Sequence, residues 1–238
     1  MQISGKTVVI TGGGRGIGRE LAKAFAAKGG RIAAFDLNQA DLDETVAQCK
    51  AQGVEARGYV ANVTDEQAVI AAMDAIVADL GSVDVLINNA GIGFFGPVDE
   101  VSWSDFETIF HTNVFGAALI GREAARRMKA QNKGNIINIA SSAGVRGFKN
   151  GTVYAASKFA VRGMTECWRD ELRPFNIRVM LVNPSAVPTA FNVENREEKP
   201  LKDNMLRPEE LAHAMVSALA MDDRGFIPEL GVWATNPF

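Results

Sequence analysis

The chain has 238 residues and a net charge of −3, with 47% hydrophobic and 22% charged residues. A chain of this length is expected to form one or two domains, and its composition is that of a globular protein rather than a disordered one. A pI of about 5.5 provides no basic surface for nucleic acid or for an anionic membrane. The longest stretch without charged residues, 179–193, is too short for a membrane-spanning helix.

The cysteines and the first residues of the chain bear on the cellular location of the protein. Cys49 and Cys167 lie far apart in the sequence, and the first residues lack the basic and apolar regions of a signal peptide. These features predict a reducing, cytoplasmic location. Because the only histidines are His111 and His213, no metal site built from His and Cys is expected.

Short apolar runs alternate with longer segments of helical periodicity along the whole chain. Strands are predicted at residues 6–11, 31–36, 55–60, 83–88, 135–140, 177–183 and 226–232. Helices are predicted between them, with long ones at 102–130 and 154–172 and a later one at 208–220. This alternation predicts an α/β fold: a Rossmann-type doubly wound parallel sheet of about seven strands with helices on both faces. No linker interrupts it, so residues 1–238 are predicted to form a single domain.

A glycine-rich loop, Thr-Gly-Gly-Gly-Arg-Gly-Ile-Gly, joins the first strand to the first helix at residues 11–18. Glycines there allow a tight turn and let backbone N–H groups approach a diphosphate, which the helix N-terminus also attracts. A lone match of this kind is equally often a simple turn, but its place between a strand and a helix favours dinucleotide binding.

Two charged residues bear on the choice of dinucleotide. Asp36 ends the second strand, where its carboxylate can accept hydrogen bonds from the adenosine ribose and would repel a 2′-phosphate. Arg15, within the glycine loop, could instead pair with that phosphate. The sequence favours NAD(H) as cofactor and leaves NADP(H) as the alternative.

Tyr154 and Lys158 are four residues apart and would share one face of a helix. Lowering a tyrosine pKa by three units takes about 4 kcal/mol, roughly what a positive charge 4–5 Å away supplies at an effective dielectric near 20. The pair suits a general acid/base, although this spacing alone is more often a half-buried tyrosine beside a solvated lysine. Ser141 and Ser142, at the end of the fifth strand, could hold a substrate carbonyl or simply cap the loop.

Together these residues resemble the short-chain dehydrogenase/reductases, in their short single-domain branch, over nearly the whole chain. The resemblance rests on the loop 11–18, on Asn-Asn-Ala-Gly at 88–91, on Asn113 in the long helix, and on the spacing from Ser141 to Tyr154. That spacing favours Ser141 over Ser142 as the catalytic serine.

The resemblance implies a mechanism. Tyr154 would protonate a carbonyl oxygen, or deprotonate an alcohol, while hydride passes between the substrate carbon and the nicotinamide. Ser141 would orient the carbonyl, and Lys158 would bind the nicotinamide ribose and lower the pKa of Tyr154. Asn113 would hold a water in a proton relay from Lys158 to solvent. The cofactor-binding residues that the resemblance implies are Gly12, Arg15, Gly16, Ile17, Gly18, Asp36, Asn62, Val63, Asn89, Ala90, Gly91, Tyr154, Lys158, Val187 and Thr189.

Three features depart from the family pattern. Pro184-Ser185 replaces the usual Pro-Gly after the sixth strand, so that turn is expected to differ. Asn62 stands where Asp is commonest, although 3-oxoacyl-carrier-protein reductases of the family also carry Asn there. The C-terminus lacks the ending that packs on a partner subunit. This departure puts a tetramer in doubt, and a homodimer through helices 102–130 and 154–172 is expected.

The leading hypothesis is an NAD(H)-dependent oxidoreductase acting on a secondary alcohol or ketone. Arg15, Arg146 and Asn62 suggest an NADPH-dependent 3-oxoacyl-carrier-protein reductase as the alternative, and a non-catalytic dinucleotide sensor is a remote one. Residues 93–95, 145–148 and a lid around 186–204 are expected to face the nicotinamide. The rings at 94, 95 and 148 could contact the substrate or belong to the core.

Overall fold

A computed structural model describes residues 1–191, 200 and 202–236. The strands are β1 (Thr7–Thr11), β2 (Arg31–Asp36), β3 (Ala56–Val60), β4 (Val85–Asn88), β5 (Gly134–Ile139), β6 (Ile177–Pro184) and β7 (Glu229–Val232). They form one seven-stranded sheet in the order β3-β2-β1-β4-β5-β6-β7, and every neighbouring pair is parallel. The predicted Rossmann-type parallel sheet is confirmed.

Helices connect the strands. They are α1 (Gly16–Ala26), α2 (Gln39–Lys50), α3 (Glu66–Leu80), α4 (Trp103–Phe110), α5 (Ala117–Gln131), α6 (Thr152–Leu172) and α7 (Pro208–Leu219). Side chains at the N-caps account for three of the starts, because Asn38, Asp65 and Ser102 accept backbone N–H bonds in the first turns of α2, α3 and α4. Gly81, at φ +83°, ends α3 in the left-handed conformation.

Both faces of the sheet are covered by helices. In β1, Val8 and Ile10 join a cluster with residues of α1 and α7, including Phe25 and Met215. The intervening Val9 joins a second cluster with residues of α3 and α5. All three β1 side chains are fully buried, which explains why this strand is apolar at consecutive positions rather than alternating. The carboxyl ends of the strands are thereby held at one edge, where the site lies.

The long helix predicted at 102–130 is present as an unbroken helical run from Trp103 to Gln131, but it is not α-helical throughout. A π-helical turn, His111–Gly116, separates α4 from α5 and contains Asn113. Gly116 in this turn lies so close to Val63 that a Cβ there would be 2.7 Å from Val63 Cγ2. The wider turn thus brings the helix backbone against the loop that follows β3, and π-turns of this kind recur at functional sites.

Ser185, in place of the family's usual glycine, makes its own contacts with the end of the chain. Its N–H donates to the Val232 carbonyl at 2.8 Å, and its Oγ accepts the Ala234 N–H at 3.3 Å. Ser185 is not among the residues with positive φ, so the turn after β6 does not need glycine. The serine extends the pairing between β6 and β7.

The single domain over 1–238 stays a prediction, as does the lid around 186–204. Residues 192–199 and 201 of that lid lie outside the described residues. Within the part of the chain that the structure describes, no helix has the length and apolar character needed to cross a bilayer.

Candidate active site

The glycine loop turns sharply between β1 and α1. Gly12 has φ +63°, and a Cβ there would lie 2.9 Å from Asn89 Nδ2. At Gly18 a Cβ would lie 1.9 Å from the Gly12 carbonyl oxygen, which is far inside contact distance. Glycine is therefore required at both positions, because the two ends of the loop touch each other through backbone atoms.

The residues after β4 hold the loop in this shape. Thr11 Oγ1 accepts the N–H groups of Asn89 and Ala90, each at 3.0 Å. The Asn89 amide Nδ2 donates to the carbonyls of Thr11 at 2.9 Å and Gly12 at 3.1 Å. The structure thus assigns Asn89 and Ala90 a supporting contact with the loop, and their predicted contact with the cofactor stays a prediction.

The N-terminus of α1 fits a diphosphate. Its N-cap, Arg15, is extended, at φ −155° and ψ 175°, and makes no capping hydrogen bond with its side chain. The first turn, which contains Ile17, carries no acidic side chain. Helix N-terminal N–H groups that no side chain caps attract anions, and the glycines around them leave room for an approaching phosphate. The loop therefore fits the diphosphate of a dinucleotide.

Asp36 lies at the outer side of the loop with its carboxylate fixed by backbone donors. Its Oδ2 accepts the Gly14 N–H at 3.0 Å, and its Oδ1 accepts the Leu37 N–H at 2.7 Å. A Cβ at Gly14 would lie 2.9 Å from this carboxylate, so the glycine allows the close approach. The negative charge at the end of β2 is held in place rather than free to swing into solvent.

Arg19 is a loop contact that the sequence did not reveal. Its guanidinium donates to the Gly14 carbonyl through Nε at 3.0 Å and Nη2 at 2.6 Å, and Nε also donates to Thr45 Oγ1 at 3.1 Å. An ion pair with Glu44 at 2.8 Å completes its contacts on α2. Arg19 was not singled out from the sequence, because no spacing or motif marked it.

Ser141, Tyr154 and Lys158 come together where β5 ends and α6 begins. Lys158 is buried, and its Nζ donates to the Ile139 carbonyl at 3.1 Å and lies 5.6 Å from the centroid of the Tyr154 ring. Ser141 lies near enough to the Tyr154 phenol to act on the pKa of that group. Its Oγ also accepts the Ala143 N–H at 3.1 Å, so this serine caps the loop and faces the phenol at once.

The electrostatics of the pair differ from the expectation that Lys158 lowers the pKa of Tyr154. Burial raises the pKa of Tyr154 above its ordinary value, and Ser141 offsets only part of this rise. Burial also lowers the pKa of Lys158 to about 8. Both groups lose hydration in the cleft, and the Lys158 amine is directed to the Ile139 carbonyl. Desolvation therefore outweighs the attraction between the two groups in this structure.

Asn113 lies beside this group and is buried. Its Oδ1 accepts the Ile92 N–H at 2.8 Å, and its Nδ2 donates to the Ile92 carbonyl at 2.9 Å and to Ser157 Oγ at 3.1 Å. A Cβ at Gly91 would lie 3.2 Å from Asn113 Oδ1 and 3.6 Å from Lys158 Nζ, so the two side chains flank this glycine. Asn113 and Lys158, the two residues predicted to take part in a proton relay, are therefore adjacent. The water between them and solvent stays a prediction.

The remaining predicted cofactor residues lie around the loop and the π-turn. Thr189 is buried, and its Cβ and Cγ2 would be 3.4 Å from a Cβ at Gly16. Val187, two residues earlier, packs against the core cluster that includes β1 and α1. Asn62 Oδ1 accepts the Thr64 N–H at 3.0 Å. Their contacts with a dinucleotide stay predictions.

Comparison with known proteins decides the family. Residues 6–200 match the family described as short chain dehydrogenase. The chain belongs to the short-chain dehydrogenase family. It is an NAD(P)-dependent oxidoreductase, in agreement with relatives that are named dehydrogenases and reductases.

Three proteins that are similar to this short-chain dehydrogenase illustrate its relatives. A 3-oxoacyl-[acyl-carrier-protein] reductase of Thermotoga maritima is 32% identical, and the alignment covers 95% of each chain. The structure of an alcohol dehydrogenase from Thermococcus sibiricus complexed with 5-hydroxy-NADP has a TM-score of 0.90 and 26% identity, covering 97% of each chain. NAD⁺-bound xylitol dehydrogenase has a TM-score of 0.86 and 32% identity, covering 98% of this chain and 99% of the other.

Aromatic rings surround the Tyr154 phenol of the dehydrogenase. The Phe95 and Phe191 rings lie 5.4 Å and 6.0 Å from that of Tyr154, and Phe148 lies 6.0 Å from Phe95. Phe95 is 46% exposed and Phe148 is 49% exposed, so neither belongs to the core. Phe94 is half-buried beside Gly96. Phe191 was not singled out from the sequence, where only its place within the predicted lid pointed to it.

The shifted pKa of Lys158 predicts how stability depends on pH. The lysine pKa is about 8 in the folded protein and about 10.4 when unfolded, so between these values the unfolded chain binds more protons. The contribution of Lys158 to stability should therefore rise with pH across this window by about 3 kcal/mol, against an opposing contribution from Cys49, whose pKa burial raises to about 11. The rise should be absent from Lys158→Met, because methionine does not titrate. Urea unfolding of both proteins without cofactor, at pH 7.5 and pH 10, measures the difference.

Lys28→Met is the matched control for this experiment, because Lys28 is exposed at the end of α1. It should follow the wild-type dependence on pH. Equal pH dependence in wild type and Lys158→Met would show that the buried amine does not carry the effect.

Proposed function

We propose that this dehydrogenase transfers hydride between NAD(H) and a secondary alcohol or ketone, with Tyr154 as the general acid/base. The observation that carries the proposal is the buried Lys158, whose Nζ lies 5.6 Å from the centroid of the Tyr154 ring, with Ser141 near enough to the phenol to lower its pKa. When bound, the nicotinamide supplies or accepts the hydride. Tyr154 gives a proton to the substrate oxygen in reduction and removes one in oxidation, while the Ser141 hydroxyl orients that oxygen.

Lys158 has two roles in the proposal. Its amine would donate to the nicotinamide ribose. This bond would either replace the present hydrogen bond to the Ile139 carbonyl or be made alongside it. When charged, it favours the phenolate of Tyr154, since an opposite charge nearby stabilises the ionised form. The proton would leave past Asn113, which flanks Gly91 together with Lys158. The remaining residues proposed to hold the cofactor are those of the loop 12–18, Asp36, Asn62, Val63, Asn89, Ala90, Gly91, Val187 and Thr189.

The preference for NAD(H) rests on Asp36. Two backbone N–H groups, of Gly14 and Leu37, hold its carboxylate at the side of the loop where the adenosine ribose is proposed to bind. A 2′-phosphate there would meet a fixed negative charge, whereas ribose hydroxyls would donate to it. Solved relatives carry either NAD⁺ or an NADP derivative, so the family by itself does not decide. Arg15 is the residue that would favour NADP(H).

One relative supports a second candidate. The chain aligns over 95% of its length with a 3-oxoacyl-[acyl-carrier-protein] reductase at 32% identity. Asn62 matches the residue found in such enzymes, and Arg146 is exposed on the turn that follows Ser141. An exposed arginine at this edge could recognise the phosphate of a carrier thioester. NADPH-dependent reduction of a 3-oxoacyl thioester is therefore the alternative.

A four-way assay separates the two candidates. NADH and NADPH are each combined with simple ketones (2-butanone, cyclohexanone, acetophenone) and with acetoacetyl-CoA, and the loss of reduced cofactor is followed. We expect NADH to bind about tenfold more tightly than NADPH, a difference of about 1.4 kcal/mol, and a ketone to have the higher kcat/KM. Tighter NADPH binding together with preferred reduction of acetoacetyl-CoA would instead establish the alternative. Any turnover excludes a non-catalytic sensor.

Two variants attribute the cofactor preference to a residue. Asp36→Asn removes the charge and keeps an acceptor oxygen, so the ratio of the two dissociation constants should fall about tenfold toward unity. Asp43→Asn makes the same change at an exposed position of α2 and should leave the ratio unchanged. If both variants behave alike, Asp36 is not the determinant.

The assembly and the compartment remain proposals. Trp103 on α4, Phe115 in the π-turn and Phe159 on α6 are 77%, 52% and 45% exposed. Large exposed apolar side chains on these helices support the expected homodimer through them. The cytoplasmic location rests on the two free cysteines, Cys49 and Cys167.

A further inference from the structure

The side chains that contact the Tyr154 ring are themselves aromatic. Phe95 meets it edge-on at 5.4 Å and Phe191 meets it edge-on at 6.0 Å, from two different segments of the chain. Phe148, from a third segment, lies 6.0 Å from Phe95. We call Phe95, Phe148 and Phe191 the aromatic clamp.

The clamp leaves apolar surface uncovered beside the phenol. Phe95 and Phe148 are each nearly half exposed although they contact one another. Exposed aromatic surface next to a reactive group is typical of a ligand pocket, because ligand sites are lined mainly by apolar rings with a few polar groups that fix orientation. Here Ser141 and Tyr154 are the polar groups, and both are engaged by the substrate oxygen in the proposed reaction.

We propose that the substrate carries an apolar, ring-sized group bonded directly to its carbonyl or carbinol carbon, and that the clamp holds this group. The inference rests on the proposed function, since it assumes that the substrate oxygen meets Tyr154. A polyol would place hydroxyl groups against the rings, where each buried hydroxyl without a partner is penalised. The chain therefore differs in preference from its relative named for xylitol, a polyol.

Phe191 is the specificity-determining residue of the clamp. A Cβ at Gly93 would lie 2.9 Å from Phe191 Cε1 and 3.1 Å from two atoms of the Phe95 ring, so glycine at 93 lets both rings approach. The Phe191 N–H donates to Thr189 Oγ1 at 3.2 Å, and Thr189 lies against Gly16 of the glycine loop. This ring is thus positioned from the same loop that is proposed to bind the cofactor.

The test compares three alcohols with NAD⁺ as acceptor: 1-phenylethanol, 2-butanol and xylitol. We expect kcat/KM for 1-phenylethanol to exceed that for 2-butanol by about tenfold or more, and that for xylitol by about a hundredfold or more. Phe191→Leu should lower kcat/KM for 1-phenylethanol about tenfold, chiefly by raising KM, and change 2-butanol less than threefold. Phe175→Leu makes the same replacement at a ring contacting Lys129 and should leave both values unchanged.

Two results would overturn the inference while leaving the proposed function intact. One is a kcat/KM for xylitol equal to or above that for 1-phenylethanol. The other is an unchanged ratio of 1-phenylethanol to 2-butanol in Phe191→Leu. Failure of the proposed function looks different, because then no alcohol or ketone is turned over, or Tyr154→Phe turns them over at the wild-type rate.

Discussion

Replacing Tyr154 by phenylalanine should lower kcat about a thousandfold or more while changing the dissociation constant for the dinucleotide only a few-fold. The substitution removes one oxygen and leaves a ring that can still contact Phe95 and Phe191. General acid/base groups contribute about 10²–10⁴-fold to rate, and a phenylalanine ring has no proton to give in place of the phenol. Steady-state assays give kcat, and fluorescence titration with NADH gives the binding constant.

The chain provides a matched control, because it contains one other tyrosine. The Tyr59 hydroxyl donates to Asp79 Oδ2 at 3.0 Å, on the side of β3 that faces α3. Tyr59→Phe removes the same atom away from Ser141 and Lys158 and should retain the wild-type rate. If Tyr154→Phe keeps more than a tenth of the wild-type kcat, the phenol is not the proton donor.

The strands and the catalytic pair were predictable because their signals are local. Apolar runs such as 83–88 mark strands buried on both faces, and an i, i+4 spacing places Tyr154 and Lys158 on one side of a helix whatever surrounds it. The π-turn was not predictable, because the helical spacing of α4 resumes in α5 and only the hydrogen bonds reveal the extra residue. The Arg19 contact depends on how close α1 comes to α2, which no motif encodes.

The direction in which the Tyr154 pKa is shifted shows why the spacing of Tyr154 and Lys158 alone was not enough to predict the electrostatics of this pair. The Coulomb argument considered only the distance between two charges, and it gave a lowered pKa for the phenol. Desolvation depends on the whole cleft, including the rings of Phe95 and Phe191, and it raises that pKa. A pKa suited to general acid/base catalysis near neutral pH would therefore require the charged form of Lys158 in the working complex.

The end of β4 connects the two halves of the site. Asn89 fixes the glycine loop through the Thr11 and Gly12 carbonyls, whereas Ile92, three residues later, is held by both polar atoms of Asn113. Asn113 in turn donates to Ser157 Oγ, which donates to the Tyr154 carbonyl at 2.7 Å. Hydrogen bonds at both ends of the segment 89–92 thus connect the glycine loop to the catalytic helix. Displacement of the loop should consequently affect both binding and turnover.

Gly18→Ala tests this dependence at the tightest contact of the loop. A Cβ at residue 18 would lie 1.9 Å from the Gly12 carbonyl oxygen, so the loop must move. Overpacking of this kind costs about 1–3 kcal/mol of stability. Because backbone N–H groups of the same turn are proposed to bind the diphosphate, the dissociation constant for NADH should rise about a hundredfold or more, or about 2.7 kcal/mol. Urea unfolding and fluorescence titration measure the two effects separately.

Gly163→Ala is the matched substitution, because Gly163 is exposed on α6 and a Cβ there meets nothing within 4 Å. Alanine is preferred to glycine inside a helix, so this variant should gain about 0.5–1 kcal/mol and bind NADH as wild type does. The comparison shows whether an effect on binding comes from the steric contact at residue 18 or from replacing a flexible glycine by alanine. Were Gly18→Ala to bind NADH normally, the contact between residues 12 and 18 would not shape the binding site, and the dinucleotide would have to be held elsewhere.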